Sequence, residues 1–106
     1  MVAQAHMQEL VELCGSAREV AEGLIYFAQL RLPSGCQPAE TEALLSLVSY
    51  NGYMTRLFLA QPVPGRRTDW TGIYIQGRTW YTWSWNDVSA QLRPAQVLAE
   101  HLRALR

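Results

Sequence analysis

Apolar residues near the start of the chain recur at the spacing of an amphipathic helix. They stand at positions i, i+3, i+4 and i+7, and they are Met7, Leu10, Val11 and Cys14. This spacing places them on one helical face, which predicts a first helix that packs against a core. Gly15 follows directly and favours a left-handed C-terminal turn, so we expect the helix to end there.

A second signal for the start of a helix comes directly after Gly15. Ser16 and Glu19 have the spacing of a capping box, in which the hydroxyl and the carboxylate satisfy the first free amides of a helix. An apolar stripe at helical spacing continues through Val20, Leu24 and Phe27. We therefore expect a second helix that begins at Ser16 and is stopped by the Pro-Ser-Gly sequence at 33–35.

The segment from Pro38 to Gly52 fits two structures. Pro38 at a first helical position, acidic residues just after it and the closing Asn51-Gly52 pair favour a helix. The same Asn51-Gly52 pair is typical of a two-residue hairpin turn, in which case the sheet gains a strand. We favour the helix because an acidic, alanine-containing start is poorly suited to strand pairing.

From Tyr53 onward the pattern is that of strands. The predicted strands are 53–60, 70–75 and 78–85, with a proline-containing loop at 61–69, a tight turn at Gln76-Gly77 and a C-terminal helix that begins at Pro94. The sequence thus predicts a single α+β domain over residues 1–106. Its expected architecture is N-terminal helices, an antiparallel meander of three or four strands, and a C-terminal helix.

This order of elements is similar to that of roadblock-like dimerisation modules and of the non-catalytic ubiquitin-conjugating-like folds. The likeness concerns the order of elements alone. It therefore assigns no role to any residue of this chain.

Aromatic residues are concentrated in the predicted sheet. Nine of the eleven lie between Tyr50 and Trp85, and all four tryptophans lie between Trp70 and Trp85. Because side chains alternate across a strand, the turn at Gln76-Gly77 fixes two faces. Ile73, Ile75 and Trp80 belong to one face. The other face, called the aromatic face below, holds Trp70, Tyr74, Tyr81, Trp83 and Trp85.

The aromatic face is the main candidate site. In one interpretation, helices cover this face and its residues belong to the core. In the other, the face is exposed and binds a partner chain or a second copy of this chain, because large aromatic residues contribute most of the binding energy at interfaces. Arg66 and Arg67 in the preceding loop are then expected as contacts at the rim that set the orientation. We expect a small non-enzymatic interaction domain, acting as an adaptor, regulator or inhibitor.

The net charge of the chain distinguishes a protein-interaction domain from a nucleic-acid-binding protein. The formal net charge is +0, whereas binding of single-stranded nucleic acid to aromatic strands normally needs a basic surplus. In the nucleic-acid alternative, the tryptophans and tyrosines stack on bases while Arg56, Arg66, Arg67 and Arg78 hold phosphates. The balance of charge disfavours it. No apolar run approaches the roughly 20 residues of a membrane helix, and the start of the chain does not resemble a signal peptide.

The residues that could carry catalysis are few. The chain has nine arginines and no lysine, which excludes Schiff-base chemistry and a P-loop lysine. Its two cysteines are expected to be reduced thiols in the cytoplasm, and no His or Cys pair has metal-ligand spacing. We expect no cofactor and no metal. A thiol-dependent or small-ligand enzyme using Cys36 remains a second alternative, because Cys36 precedes a predicted helix start that could lower its pKa.

Overall fold

The first apolar stripe forms a helix, as predicted. In a computed structural model, which describes residues 1–49 and 52–106, α1 spans Gln4–Cys14 and buries Leu10 completely. Gly15 adopts φ +82°, and its N–H donates to the Val11 carbonyl at 2.8 Å. Glycine reaches this left-handed conformation without steric conflict, so it ends the helix here.

The predicted second helix is wrong, because its segment forms a β-hairpin. The strands are β1 (Arg18–Ala21) and β2 (Leu24–Arg31), which pair antiparallel around Gly23 at φ +69°. Instead of capping a helix, the Glu19 carboxylate accepts hydrogen bonds from the amides of Gly23 at 2.8 Å and Val2 at 3.0 Å. These two bonds lower the pKa of Glu19.

The preferred helix between Pro38 and Gly52 is also wrong. Residues Glu40–Ser46 form β3, which pairs antiparallel with β2 on one side and with β4 (Arg56–Leu59) on the other. The sheet therefore gains the strand that the hairpin alternative required, but the connection from 47 to 55 is longer than a two-residue turn. Asn51, half of the predicted turn, lies outside the described residues.

Both errors have one physical cause. Along β2 and β3, successive apolar side chains enter different cores: Ile25 and Leu45 face the helices, whereas Leu24 and Leu44 face the opposite side. A strand that is covered on both faces lacks the alternation of apolar and polar residues by which strands are recognised in a sequence. Its apolar residues then fit the period of a helix equally well.

The C-terminal half follows the prediction more closely. The strand expected at 53–60 is the shorter β4, and the expected pair at 70–75 and 78–85 is β5 (Thr71–Ile75) and β6 (Arg78–Thr82). Gln76 and Gly77 join these two strands with positive φ angles of 50° and 88°, which define a type I′ turn. Helix α2 begins at Pro94, as expected, and spans Pro94–Arg103.

The described residues thus contain two helices and one antiparallel sheet of six strands. The α+β class is confirmed, whereas the expected count of three or four strands is wrong. The order of strands is β1-β2-β3-β4-β6-β5, so β1 and β5 are the two edges. Neither helix of the described residues has the length and apolar character needed to cross a membrane.

The two faces of the sheet are closed in different ways. Helices α1 and α2 cover one face and bury the larger core, which includes Ile25, Phe27, Leu45, Leu57, Leu59, Trp83 and Val97. On the opposite face Leu44, Phe58 and Trp80 form a second core, in which Phe58 is 0% exposed although the two helices lie on the other side.

Rolling of the sheet explains this second core. Gln76, in the turn between β5 and β6, donates through Nε2 to the Val20 carbonyl of β1 at 3.5 Å. In a flat sheet of this strand order the two edge strands would be about 24 Å apart, at about 4.8 Å for each strand spacing. The sheet therefore curls until the β5–β6 turn reaches β1, which closes the side of the sheet that holds Phe58.

Candidate functional site

The register of β5 and β6 agrees with the two faces derived from the sequence. Ile73 lies opposite Trp80, and both belong to the second core or pack against it. Gly72 lies opposite Tyr81 on the other face. The aromatic face is therefore the helix side of the sheet, but its five members occupy three different environments.

Trp83 lies in the larger core. Its side chain is 2% exposed and meets the ring of Trp70 edge to face, with 5.1 Å between the ring centroids. Its indole N–H is buried and has no hydrogen-bond partner among the described residues. A residue this buried stabilises the fold and does not offer surface to a partner in this conformation.

Trp70 and Trp85 are half-buried and tie other elements to the end of the sheet. The indole N–H of Trp70 donates to the Arg67 carbonyl, and that of Trp85 donates to the Glu100 carbonyl of α2, each at 3.1 Å. Both indoles thus combine an apolar body packed on the core with a satisfied polar atom.

The two loop arginines are engaged within the chain. Arg66 Nη2 donates to the Ser34 carbonyl at 3.1 Å. Arg67 donates to Asp69 and to the Ser84 carbonyl, each at 3.3 Å, and its guanidinium lies 5.5 Å from the centre of the Trp85 ring. These contacts hold the 61–69 loop against neighbouring segments.

Tyr74 and Tyr81 remain on the surface of the β5–β6 hairpin. Tyr74 is 73% exposed, whereas Tyr81 is half-buried with its ring close over Gly72. A Cβ atom added at Gly72 would lie 3.3 Å from the Tyr81 ring, which is a tight contact. The helices make their main sheet contacts with β2 and β4, so this outer surface lies to the side of them.

The backbone of β5 also faces outward. In a two-residue hairpin the residues beside the turn, here Ile75 and Arg78, form a hydrogen-bonded pair, and such pairs alternate along the ladder. Ile73 is therefore bonded to Trp80, and the N–H and C=O groups of Gly72 and Tyr74 point to the free edge.

The two edges of the sheet differ in how they are protected. β1 has only four residues, two of which are charged (Arg18 and Glu19), and its register is irregular between Glu19 and Ala21. Short length, charge and bulges are the features that stop edge strands from pairing with other chains. β5 has the sequence Thr-Gly-Ile-Tyr-Ile, without charge, proline or register shift, and so lacks this protection.

A polar cluster that the sequence analysis missed lies on the inner side of the rolled sheet. The Tyr26 hydroxyl donates to the Glu42 carboxylate at 2.5 Å, and Arg78 Nη1 lies 3.3 Å from both Glu42 oxygens. The hydrogen bond to Glu42 raises the pKa of Tyr26, and the same bond, helped by Arg78, lowers the pKa of Glu42. The sequence does not reveal this cluster, because the residues of β2 and β3 also fit the period of a helix, which would not bring Tyr26 beside Glu42.

The remaining candidate groups do not assemble. Cys36 is buried, and its thiol donates to the Leu105 carbonyl at 3.4 Å. Within residues 1–49 and 52–106, no three His, Cys, Asp or Glu side chains are grouped so that they could hold a metal ion. Comparison with protein-family models, with curated proteins and with solved structures finds no match to this chain.

Proposed function

We propose that this chain is a small non-enzymatic protein-interaction domain, an adaptor, regulator or inhibitor, that associates with a second copy of itself through the edge strand β5. The observation that carries the proposal is the unprotected edge, with Tyr74 73% exposed beside it. The chain has two free thiols, Cys14 and Cys36, which are consistent with the reducing cytoplasm that we expect as its compartment.

Pairing of two β5 strands uses the free backbone groups of both. A two-fold axis at Ile73 sets Gly72 of one copy opposite Tyr74 of the other, and each such pair exchanges two backbone hydrogen bonds. The residues that meet are the ones whose N–H and C=O groups point outward, so no ladder bond to β6 is broken. An isologous contact of this kind is the commonest way in which identical chains associate.

The side chains of β5 are compatible with self-pairing. The strand has no charged residue, so two copies meet without repulsion between like charges. On the outer surface, Tyr74 of one copy approaches Gly72 of the other, and Gly72 already lies beneath the Tyr81 ring. The tyrosines of the two copies would then form one aromatic row, an arrangement that favours cross-strand packing.

The other members of the predicted site support the hairpin in this proposal. Trp83 anchors the end of β6 in the core, and Trp70 and Trp85 hold the adjoining loop and α2. Arg66 and Arg67 fix the loop that precedes β5. Of the predicted set, Tyr74 and Tyr81 are proposed as direct contacts.

No described contact favours the two alternatives over this proposal. The loop arginines invoked for nucleic-acid binding are engaged within the chain, and Arg56 is buried. Cys36, invoked for thiol catalysis, is 3% exposed. Both alternatives require these groups to meet a ligand from solvent.

The proposal is tested by the mass of the protein in solution. Light scattering on the size-separated protein, loaded between about 1 and 500 μM, should show a dimer at the higher concentrations. Tyr74→Lys places a charge on the edge strand and should give a monomer, because charged edge strands resist pairing.

Leu13→Lys is the matched control. It replaces another exposed apolar residue, 68% accessible on α1, and should leave the dimer intact. A wild type that is monomeric at every concentration, or a Tyr74→Lys variant that still dimerises, contradicts the proposal.

A further inference from the structure

The rolled sheet leaves a second candidate site on its inner side, remote from the outward-facing groups of β5. Where the β5–β6 turn meets β1, a cavity of about 240 Å³ opens between the strands. Its lining residues are Arg18, Val20, Tyr26, Glu42, Leu44, Gln76, Arg78 and Trp80. They come from β1, β2, β3, β6 and the turn, so the cavity exists only because the sheet curls.

The charges of this cavity favour an anion. Arg18 and Arg78 contribute two guanidinium groups, and the single carboxylate, Glu42, is already bound by Tyr26 and Arg78. One net positive charge is left over. The Arg18 guanidinium has no hydrogen bond or ion pair among the described residues and lies 5.3 Å from the centre of the Tyr26 ring.

The ring of Trp80 forms one wall of the cavity. Trp80 is 3% exposed, and the Arg78 guanidinium lies 4.1 Å from the centre of its ring. The indole nitrogen itself is closed off from solvent and has no hydrogen-bond partner within the described part of the chain. A ligand in the cavity therefore contacts the Trp80 ring and not its N–H, whose NMR resonance reports a change beside the ring.

The apolar lining residues and the volume of the cavity determine how large the ligand is and which nonpolar group it carries. Val20, Leu44 and the Trp80 ring give the cavity apolar walls, and its volume is below that of sites for drug-sized molecules. A phosphate ion has no apolar body for these walls. A monocarboxylate with a compact ring or branched chain satisfies both the walls and the single net charge.

We propose that the cavity on the inner side of the rolled sheet binds a small monocarboxylate with a compact apolar body. Arg18 and Arg78 hold the carboxylate, the Trp80 ring provides one apolar wall, and Glu42 keeps the Arg78 guanidinium in place. The site lies apart from the outward-facing groups of β5, so its existence does not depend on the proposed association.

Benzoate is a suitable probe for this site. A ligand of this size is expected to bind with a millimolar dissociation constant, so a titration to about 20 mM covers the transition. In ¹H–¹⁵N NMR spectra, benzoate should shift the assigned indole N–H resonance of Trp80 in a saturable manner and leave that of Trp83 unchanged. Benzamide, which lacks the charge, and inorganic phosphate, which lacks the apolar body, should need at least about tenfold higher concentration.

A pair of arginine variants completes the experiment. Arg18→Gln removes a guanidinium that makes no hydrogen bond to any described residue, and it should weaken benzoate binding about tenfold. Arg31→Gln makes the same change of charge on β2 outside the cavity and should bind benzoate like the wild type.

Three results would overturn the inference: a Trp80 resonance that does not move with benzoate, benzamide binding as tightly as benzoate, or an Arg18→Gln variant with unchanged affinity.

Discussion

His101 should make the stability of this domain depend on pH. The side chain is 1% exposed, and its Nε2 lies 2.8 Å from Thr55 Oγ1. The Thr55 hydroxyl donates its own proton to the Val88 carbonyl at 2.8 Å, so Nε2 must carry the hydrogen that joins it to Thr55. Burial, helped by the positive charge of Arg56, lowers the pKa of His101 from 6.5 to about 4.

The size of the effect follows from the difference in pKa between the two states. Between pH 6.5 and about 4 the unfolded chain binds a proton at His101 that the folded chain does not, so the free energy of unfolding falls as the pH falls. Going from about pH 7 to about pH 5 should remove about 2 kcal/mol, and the full loss below the folded pKa is about 3 kcal/mol.

This interval isolates His101 from the acidic residues whose pKa the fold shifts. The fold lowers the pKa values of Glu19, Glu42 and Asp69 below their ordinary values of 4.5, 4.5 and 3.8. Their stabilising contributions are present above these values and are lost mainly at lower pH. A change measured between pH 7 and pH 5 therefore reports chiefly on the histidine.

Urea unfolding at both pH values, followed by tryptophan fluorescence, measures the change directly. A loss of about 2 kcal/mol is a large part of the stability of a domain of this size and is readily resolved. His101→Gln is the control and should have nearly the same stability at pH 7 and pH 5. A wild-type loss of less than about 0.5 kcal/mol, or an equal loss in His101→Gln, would show that His101 does not carry this pH dependence.

Three further predictions concern the core, the inner polar cluster and the thiols. Phe58→Ala should lower the free energy of unfolding by about 4 kcal/mol in urea titrations, because the rolled sheet buries this ring completely; a loss below about 1 kcal/mol would contradict a closed second core. Tyr26→Phe removes the hydroxyl that donates to Glu42, so the pKa of Glu42 should rise in a ¹³C NMR titration, and an unchanged pKa would exclude that hydrogen bond as its cause. In the folded protein, the buried Cys36 should react with a thiol reagent at least about tenfold more slowly than the half-buried Cys14, and the two rates should become equal in urea. A Cys36 that reacts faster than Cys14 would favour the thiol-enzyme alternative.

The elements that the sequence predicts well are those specified by local signals. The stripe that ends at Gly15, the Gln76-Gly77 turn and the helix start at Pro94 each depend on residues close together in the chain. Sequence patterns do not reveal β2 and β3 because their side chains fill two cores, and β1 is hidden by the capping-box spacing of Ser16 and Glu19. Rolling of the sheet makes the second core, and it depends on contacts between distant segments, such as that of Gln76 with Val20.

The candidate site shows the same division between local and long-range information. Alternation along the hairpin placed Tyr74 and Tyr81 on one face, and the structure agrees. Burial of Trp83 and the hydrogen bond of Arg66 to Ser34 depend on how distant segments pack, which spacing along the chain does not reveal. The cavity lined by Arg18 and Arg78 is likewise hidden in the sequence, because the two arginines lie on β1 and β6, which are separated by three other strands of the sheet.

Amide hydrogen exchange in β5 tests the proposed association most directly. At a protein concentration where light scattering shows the dimer, the amides of Gly72 and Tyr74 should exchange at least about tenfold more slowly than in dilute protein, because the second copy accepts their hydrogen bonds. The amide of Ile73, which is bonded to β6 in both states, serves as the internal reference. Unchanged exchange at Gly72 and Tyr74 in a dimeric sample would place the interface elsewhere and contradict the account.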